Sequence, residues 1–254
     1  MDRVRAALLV ALAACSDAPV FRCETAAQCQ LDGQDGVCEA TGWCSFEDPS
    51  CDGRRYTESA GDGLADLCIH TTGFGEGVSG DVKGVTTDAE LLRAMPAMNF
   101  GGSDNLTVSG SVATTTSSLL RFVLTAIPTT ATVETAQLRV QVIETGNLSV
   151  DLFAVVEPWE ELAVTWNQRT SSSAWSTPGA GPGSRGTMQI GSFVAAQAGM
   201  ITVALDPAAV QAWIADPSAN YGLLLAAVSM EGATLASSQE GVLDQRPGLV
   251  ITWH

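Results

Sequence analysis

Six cysteines fall between residues 23 and 68, and they leave that part of the chain few ways to fold. They are Cys23, Cys29, Cys38, Cys44, Cys51 and Cys68. Between them lie Asp32-Gly33-Gln34-Asp35-Gly36 and Thr41-Gly42-Trp43, which are turn compositions rather than helix or strand. A segment this small and this poor in aliphatic side chains cannot build a sufficient core, and disulfides are the usual remedy. Zinc modules place cysteines two to four residues apart, and no such pair occurs in this stretch. Residues 23–72 therefore read as a small disulfide-rich module. Its connectivity stays open, since six cysteines allow fifteen pairings.

The seventh cysteine stands elsewhere. Arg3 and Arg5 precede an apolar run, Ala6 to Ala14, which ends in Leu12-Ala13-Ala14-Cys15. A positive start, a short apolar stretch and small residues make a secretory signal. The segment resembles the bacterial lipoprotein signal, whose box is Leu, small, small, Cys. That resemblance implies removal of residues 1–14 and a diacylglycerol on the Cys15 thiol, with 15–22 as a tether. A short buried helix opening a cytosolic domain is the competing reading, but it leaves six further cysteines unexplained in a reducing compartment. With Cys15 acylated, the remaining cysteines are even in number and all can pair. The expected location is the cell envelope, lipid-anchored at the outer membrane or cell surface. Ser16 is compatible with outer-membrane sorting. No later stretch reaches the apolar length of a membrane-spanning helix, so lipid is the only membrane attachment expected.

Charge narrows the partners. The formal net charge is -16, and losing residues 1–14 would remove one Asp and two Arg and make it one more negative. Nucleic acid is excluded, because phosphate binding needs a basic stripe. Polyuronate glycans should be repelled unless a divalent cation bridges them. Lys83 is the single lysine, and His70 and His254 are the two histidines. A Ser-His-Asp triad needs an imidazole held inside a site; one histidine is C-terminal and the other neighbours Cys68. No enzyme activity is expected.

Residues 73–80 are glycine-rich and read as a linker. Beyond it, over 81–254, short runs of β character alternate with turn residues. Strands are expected at 89–94, 106–109, 118–124, 136–143, 148–155, 163–167, 188–193, 200–205, 221–228, 234–237 and 248–252. Leu138, Val140 and Val142 alternate with Arg139 and Gln141, the period-2 pattern of a half-buried strand. So many short strands with few helices predict an all-β fold, a jelly-roll-type β-sandwich preceded by the disulfide-rich module. One short helix is expected, with Asp206 as cap, Pro207 at its first position and Val210, Trp213 and Ile214 on one face. Residues 170–186 read as a long polar loop holding Trp175.

A family resemblance rests on several stretches. Asn99-Phe100-Gly101 precedes Leu106-Thr107-Val108, then come Ser118 to Phe122 and Ala136 to Val140. The most specific part is Trp159-x-Glu161-x-x-x-Thr165-Trp166-Asn167, followed by Trp175. Asn220-Tyr221-Gly222 and Pro247 to Ile251 complete the order. This arrangement, from about residue 81 to 253, is similar to the DNRLRE domain of secreted bacterial proteins, also classed as a carbohydrate-binding module. The resemblance implies a β-sandwich that binds or displays without chemistry of its own. Some members are joined to polysaccharide-degrading enzymes and bind alginate.

Taken residue by residue, Trp159, Trp166 and Trp213 lie among Val, Leu and Ile and read as core. A sugar platform needs an exposed aromatic, and Trp175 in its polar loop is the candidate, with Arg169, Asn99 and Asn220 as further ligand contacts. A loop Trp folded back over the sandwich is the other reading. Arg121 and Arg139 read as structural, paired with carboxylates such as Glu161. Calcium is the only metal worth weighing, since carboxylate, amide and backbone oxygens suit it. Its candidate ligands are Asp104 and Asn105, or Asp32 and Asp35, with solvated turns as the alternative.

Two functions follow. The first is a lipid-anchored surface protein whose sandwich binds a carbohydrate or wall polymer. The second is a structural or adhesion lipoprotein whose sandwich is a spacer or docks a protein partner. Either way, the intact mass of the native protein should begin at an acylated Cys15, and Cys15→Ser should release the protein or strand its precursor. A native mass that keeps residues 1–14 without lipid would contradict this.

Overall fold

The computed structural model describes residues 21–51, 53–75, 82–83 and 86–254. Cys15, the signal segment 1–14, the tether as far as residue 20 and linker positions 76–80 lie outside the described residues. The chain divides into two compact units, one including 21–47 and 56–66, the other 48–55 and 67–254.

The first unit is held by Cys23–Cys38 and Cys29–Cys44. Its core is largely sulfur: Cys23, Cys29 and Phe46 are buried, with Cys38 and Cys44 packed against them. Strands here are no more than short pairs, such as Gln30–Leu31 with Gln34–Asp35. Trp43 is buried, and its indole N–H donates to Asp62 at 3.1 Å. Asp62 also meets Arg22 at 2.5 Å, and the guanidinium lies 5.0 Å from the Trp43 ring. The third disulfide, Cys51–Cys68, belongs to the second unit. The stretch 23–72, which the sequence presents as one cysteine-rich module, thus contributes to both units.

The second unit is a β-sandwich of jelly-roll type. Its strands are β1 (Cys68–Phe74), β2 (Thr86–Leu92), β3 (Asn105–Ser109), β4 (Thr116–Phe122), β5 (Val133–Glu144) and β6 (Leu148–Val155). There follow β7 (Arg185–Ala195), β8 (Gly199–Leu205), helix α1 (Pro207–Ala215), β9 (Leu223–Ala227), β10 (Gly232–Ala236) and β11 (Gly248–Trp253). The first sheet runs β7-β6-β9-β4-β2 and the second β8-β5-β11-β1. Strands β3 and β10 pair with each other and bridge the sheets, β10 meeting the end of β5 and β3 meeting β4. Every pairing among these strands is antiparallel.

The alternation expected of β5 is present. Ala136, Leu138, Val140 and Val142 are buried between the sheets, while Gln137 and Ile143 face solvent. Opposite them stand Leu120 and Phe122 of β4, Leu148, Val150 and Leu152 of β6, and Leu223 and Leu225 of β9. Each such leucine contributes about 1.5–3 kcal/mol by leaving water. Helix α1 closes one end of this core. Asp206 Oδ1 accepts from the Ala208 amide at 3.0 Å, Pro207 occupies the first turn, and Val210, Trp213 and Ile214 point inward. Gln211 ties the helix to the start of β5, accepting from the Val133 amide and donating to the Ala131 carbonyl.

Over β2, β4 and β9 the first sheet is apolar on both faces, whereas its outer face over β6 and β7 carries Asp151, Gln189 and Ser192. Leu119 of β4 and Leu224 of β9 oppose each other and point away from the sandwich interior, as do Ala89 and Leu91 of β2. Residues 156–184 cross that outer face as a long strap without helix or ladder strand, and they bury Trp159, Val164, Trp175 and Ala180 on it. The strand expected at 163–167 is absent. Val164, Thr165 and Trp166 have β propensity, but their backbone is held by side chains and turns rather than by a neighbouring strand.

Peptide mapping without reduction should recover Cys23–Cys38, Cys29–Cys44 and Cys51–Cys68. Removing Cys51–Cys68 should lower the stability of the sandwich unit by about 2–4 kcal/mol. Any pairing between Cys51 and a cysteine of the first unit would contradict the fold.

Candidate functional site

The strap decides what the first sheet offers to a ligand, and the tryptophan motif is its fastening. Trp159 is buried and donates its indole N–H to the Tyr221 carbonyl at 2.8 Å. Glu161 Oε1 accepts the Asp88 amide at 3.0 Å, which satisfies a free backbone donor on the edge of β2. Asn167 donates its amide to the Pro96 carbonyl and accepts from the Trp175 amide. Arg121 of β4 lies 5.1 Å from the Trp159 ring and donates Nε–H to Thr87 Oγ1 at 3.3 Å. Burial holds its pKa below the usual arginine range, with the charge of Glu161 opposing. Arg139 lies on the second sheet's outer face, half-buried.

All four ligand contacts expected from sequence make hydrogen bonds within the fold, Trp175, Asn99 and Arg169 to the strap and Asn220 to the end of β4. Trp175 is 4% exposed, and its indole N–H donates to the Thr165 carbonyl at 3.0 Å. It is a loop tryptophan folded back into the second core, not a platform. The outer face of β4 and β9 needs an apolar cover, and the polar residues around Trp175 in sequence hide that demand. Asn99 donates both amide hydrogens, to the Glu161 and Val164 carbonyls at 2.7 Å each, and accepts from the Gly101 amide. Gly101 is pressed so close to the strap that a Cβ there would lie 2.0 Å from the Glu161 carbonyl oxygen. Asn220 donates to the Phe122 carbonyl at 2.8 Å and accepts from the Gly222 amide. Arg169 Nη1 donates to the Pro158 carbonyl, while its buried Nε has no partner among the described residues. Asp104 and Asn105 are exposed, and Asp104 contributes only its carbonyl, to the Ser237 amide.

The tryptophan of the motif that keeps a partly exposed face is instead Trp166. It packs against the strap core but remains half-buried, lining a cleft of about 250 Å³. Gly179 supports the indole edge at φ +71°, where a Cβ would come within 2.5 Å of the ring. No hydrogen bond uses the Trp166 indole N–H among the described residues, unlike that of Trp159 or Trp175. Arg185, at the start of β7, forms another wall. Its guanidinium stacks 3.5 Å from the Phe153 ring centroid, and buried Nη1 has no partner among the described residues. Burial lowers its pKa, with the charge of Asp151 opposing. Thr116, Ser117 and Thr177 add hydroxyls to the walls.

A second opening, of about 500 Å³, adjoins the cleft through Ser109 and Thr116, with Glu90, Glu144 and several threonines around it. Burial pushes the Glu90 carboxyl up, opposed by hydrogen bonds from Thr107. The Thr116, Ser117 and Thr177 hydroxyls donate to the Thr114, Gly179 and Pro182 carbonyls and keep lone pairs to accept with; an apolar ring face beside such acceptors can stack on a pyranose.

The sequence pattern of carbohydrate-binding module family 96 matches residues 85–253. The chain belongs to that family. The match covers the sandwich from β2 through β11, together with the strap and the cleft. No curated protein matches the chain. Family 96 membership gives the sandwich the class of a carbohydrate-binding module, and it agrees with the resemblance carried by the Trp159 to Asn167 motif.

Sequence reasoning missed Trp166 as a surface residue because its neighbours Val164 and Thr165 are buried. It missed Arg185 because that residue follows a Gly/Pro loop with no distinguishing pattern. Urea denaturation should separate the two tryptophans. Trp175→Ala should cost about 3–5 kcal/mol, the scale of a truncated core aromatic, and Trp166→Ala clearly less. Equal losses, or a harmless Trp175→Ala, would contradict the placement.

Proposed function

We propose that the sandwich binds a polysaccharide chain in the cleft between Trp166 and Arg185, without catalysis. The half-buried indole of Trp166, facing a cleft walled by Arg185 and by threonine and serine side chains, carries this reading. A partly exposed ring with a free N–H is a surface on which a sugar can stack. The hydroxyls of Thr116 and Thr177 supply further bonds to a ring stacked on Trp166. Family 96 membership supports a carbohydrate as the ligand, and the Trp159 to Asn167 motif supports the finer placement among DNRLRE-type domains. The protein is secreted and held at the cell envelope by lipid on Cys15, at the outer membrane or cell surface. The Leu12-Ala13-Ala14-Cys15 run supports that anchoring, and the two disulfides of the first unit suit an oxidising compartment.

One observation favours a second reading, a spacer or protein-docking module. Trp175, Asn99 and Asn220 all serve the fold, so the family motif is accounted for without a ligand. The two readings part on a glycan array probed with the full mature chain. Binding to at least one polysaccharide should appear and should weaken about fivefold or more with Trp166→Ala and with Arg185→Gln, the scale of about 1 kcal/mol or more for an anchor. Running polyuronates with and without calcium beside neutral polysaccharides identifies the ligand's charge. No binding to any polysaccharide, or binding indifferent to both changes, would favour the spacer.

A further inference from the structure

Strand β2 forms a ladder with β4 on one side and on the other has only the single bridge of Glu90 to Phe100, and oxygen atoms gather on that side around Asp88. Asp88 is 1% exposed. Its Oδ2 accepts from the Ser238 amide at 2.6 Å, and Oδ1 is buried with no donor among the described residues. The Ser238 hydroxyl lies near this carboxylate but makes no hydrogen bond of proper geometry, and Gln239 Oε1 is likewise buried and unpartnered. Glu161 joins the group from the strap. Its Oε1 accepts the Asp88 amide at 3.0 Å and lies 3.4 Å from Gln239 Nε2.

Two carboxylates, a hydroxyl and a side-chain amide therefore meet where the strap, the loop after β10 and the edge of β2 come together, and three of their oxygens, Asp88 Oδ1, Ser238 Oγ and Gln239 Oε1, are buried without a partner among the described residues. No cation pairs with Asp88 among the described residues; Arg121 acts on Glu161 and is engaged with Thr87 and Trp159. Burial, with the added charge of Glu161, pushes the Asp88 carboxyl up to about 7, and Ser238 only partly opposes it. Buried polar atoms are almost always satisfied by protein, water or an ion, and three such oxygens on residues linked by these hydrogen bonds call for a common partner.

We propose that Asp88, Glu161, Ser238 and Gln239 form a calcium site that locks the strap and the loop after β10 onto the edge of β2. The donors are carboxylate, amide and hydroxyl oxygens with no nitrogen or sulfur, the set of a hard cation rather than zinc. Ligands drawn from a loose strap and a loop suit calcium, which tolerates irregular coordination, better than magnesium, which demands a near-ideal octahedron. The site shares no residue with the Trp166 cleft and stands or falls without the glycan reading.

The test is a calcium titration of the metal-stripped full chain, followed by calorimetry and by melting temperature. One calcium per chain should bind and raise the melting temperature, with a smaller rise for magnesium at equal concentration. Glu161→Gln and Gln239→Leu should each weaken calcium binding at least tenfold. Should Glu161→Gln fail to fold, Gln239→Leu and Ser238→Ala carry the test, since neither side-chain oxygen holds the apo structure together. Absence of binding at millimolar calcium would overturn the site, as would affinity unchanged in the folded variants.

Discussion

Over β2, β4 and β9 the first sheet has apolar side chains on both faces, and most of the architecture answers that constraint. Leu120 and Leu223 meet the second sheet across the sandwich, whereas Leu119 and Leu224 point outward. A solvated face would leave those leucines and Leu91 in water, at about 25 cal/mol for each Å² of apolar area. The strap removes them from water, yet as a segment without ladder hydrogen bonds it must find other partners for its backbone. Asn99, Trp175 and Thr165 supply these partners. Three of the residues in the family's motifs are thus accounted for by one structural demand.

Covering the sheet also creates the cleft. The strap turns at Gly179 and returns to the sheet at Arg185, and the turn leaves Trp166 between core and solvent. Glycan modules with an open sheet face can lay a chain along the strands. Here the strap covers the first sheet's outer face over β2, β4 and β9, the part over β6 and β7 carries Asp151, Ser192 and Gln189 with Phe153 stacked against Arg185, and the second sheet's outer face, with Gln137, Gln141 and Thr202, offers no aromatic among its strand residues. The margin of the strap, where the Trp166 indole and the Arg185 guanidinium line one cleft, is the place the proposed reading uses.

Much of this fold is legible in the sequence. Strict alternation marks β5, and Asp206-Pro207 marks the start of α1, because local chemistry sets both. The family motif is legible as a pattern, but not its use. Val164-Thr165-Trp166 has strand propensity and becomes strap, since pairing depends on which neighbours the topology brings alongside. Trp175 takes the folded-back of its two readings and Trp166, expected in the core, lies at its margin, because burial of a loop aromatic is set by what lies beneath it, here Leu119 and Leu224. Asp88 gives no sequence signal at all. Its burial arises from the edge position of β2 and from the loop carrying Ser238, which is distant in sequence. Disulfide connectivity is likewise a property of the fold: the pairing of Cys51 with Cys68 follows from the register that sets Arg55 opposite Cys68.

The central claim is that Trp166, and not Trp175, is the aromatic through which this sandwich meets a sugar. Each tryptophan indole gives one resolved N–H resonance in a nitrogen-15 correlation spectrum, so titration with an oligosaccharide of a bound polysaccharide reads them separately. The account predicts that the Trp166 resonance shifts with ligand concentration while those of Trp159 and Trp175 stay in place. A saturable shift at Trp175 or Trp159 with Trp166 unmoved would contradict it.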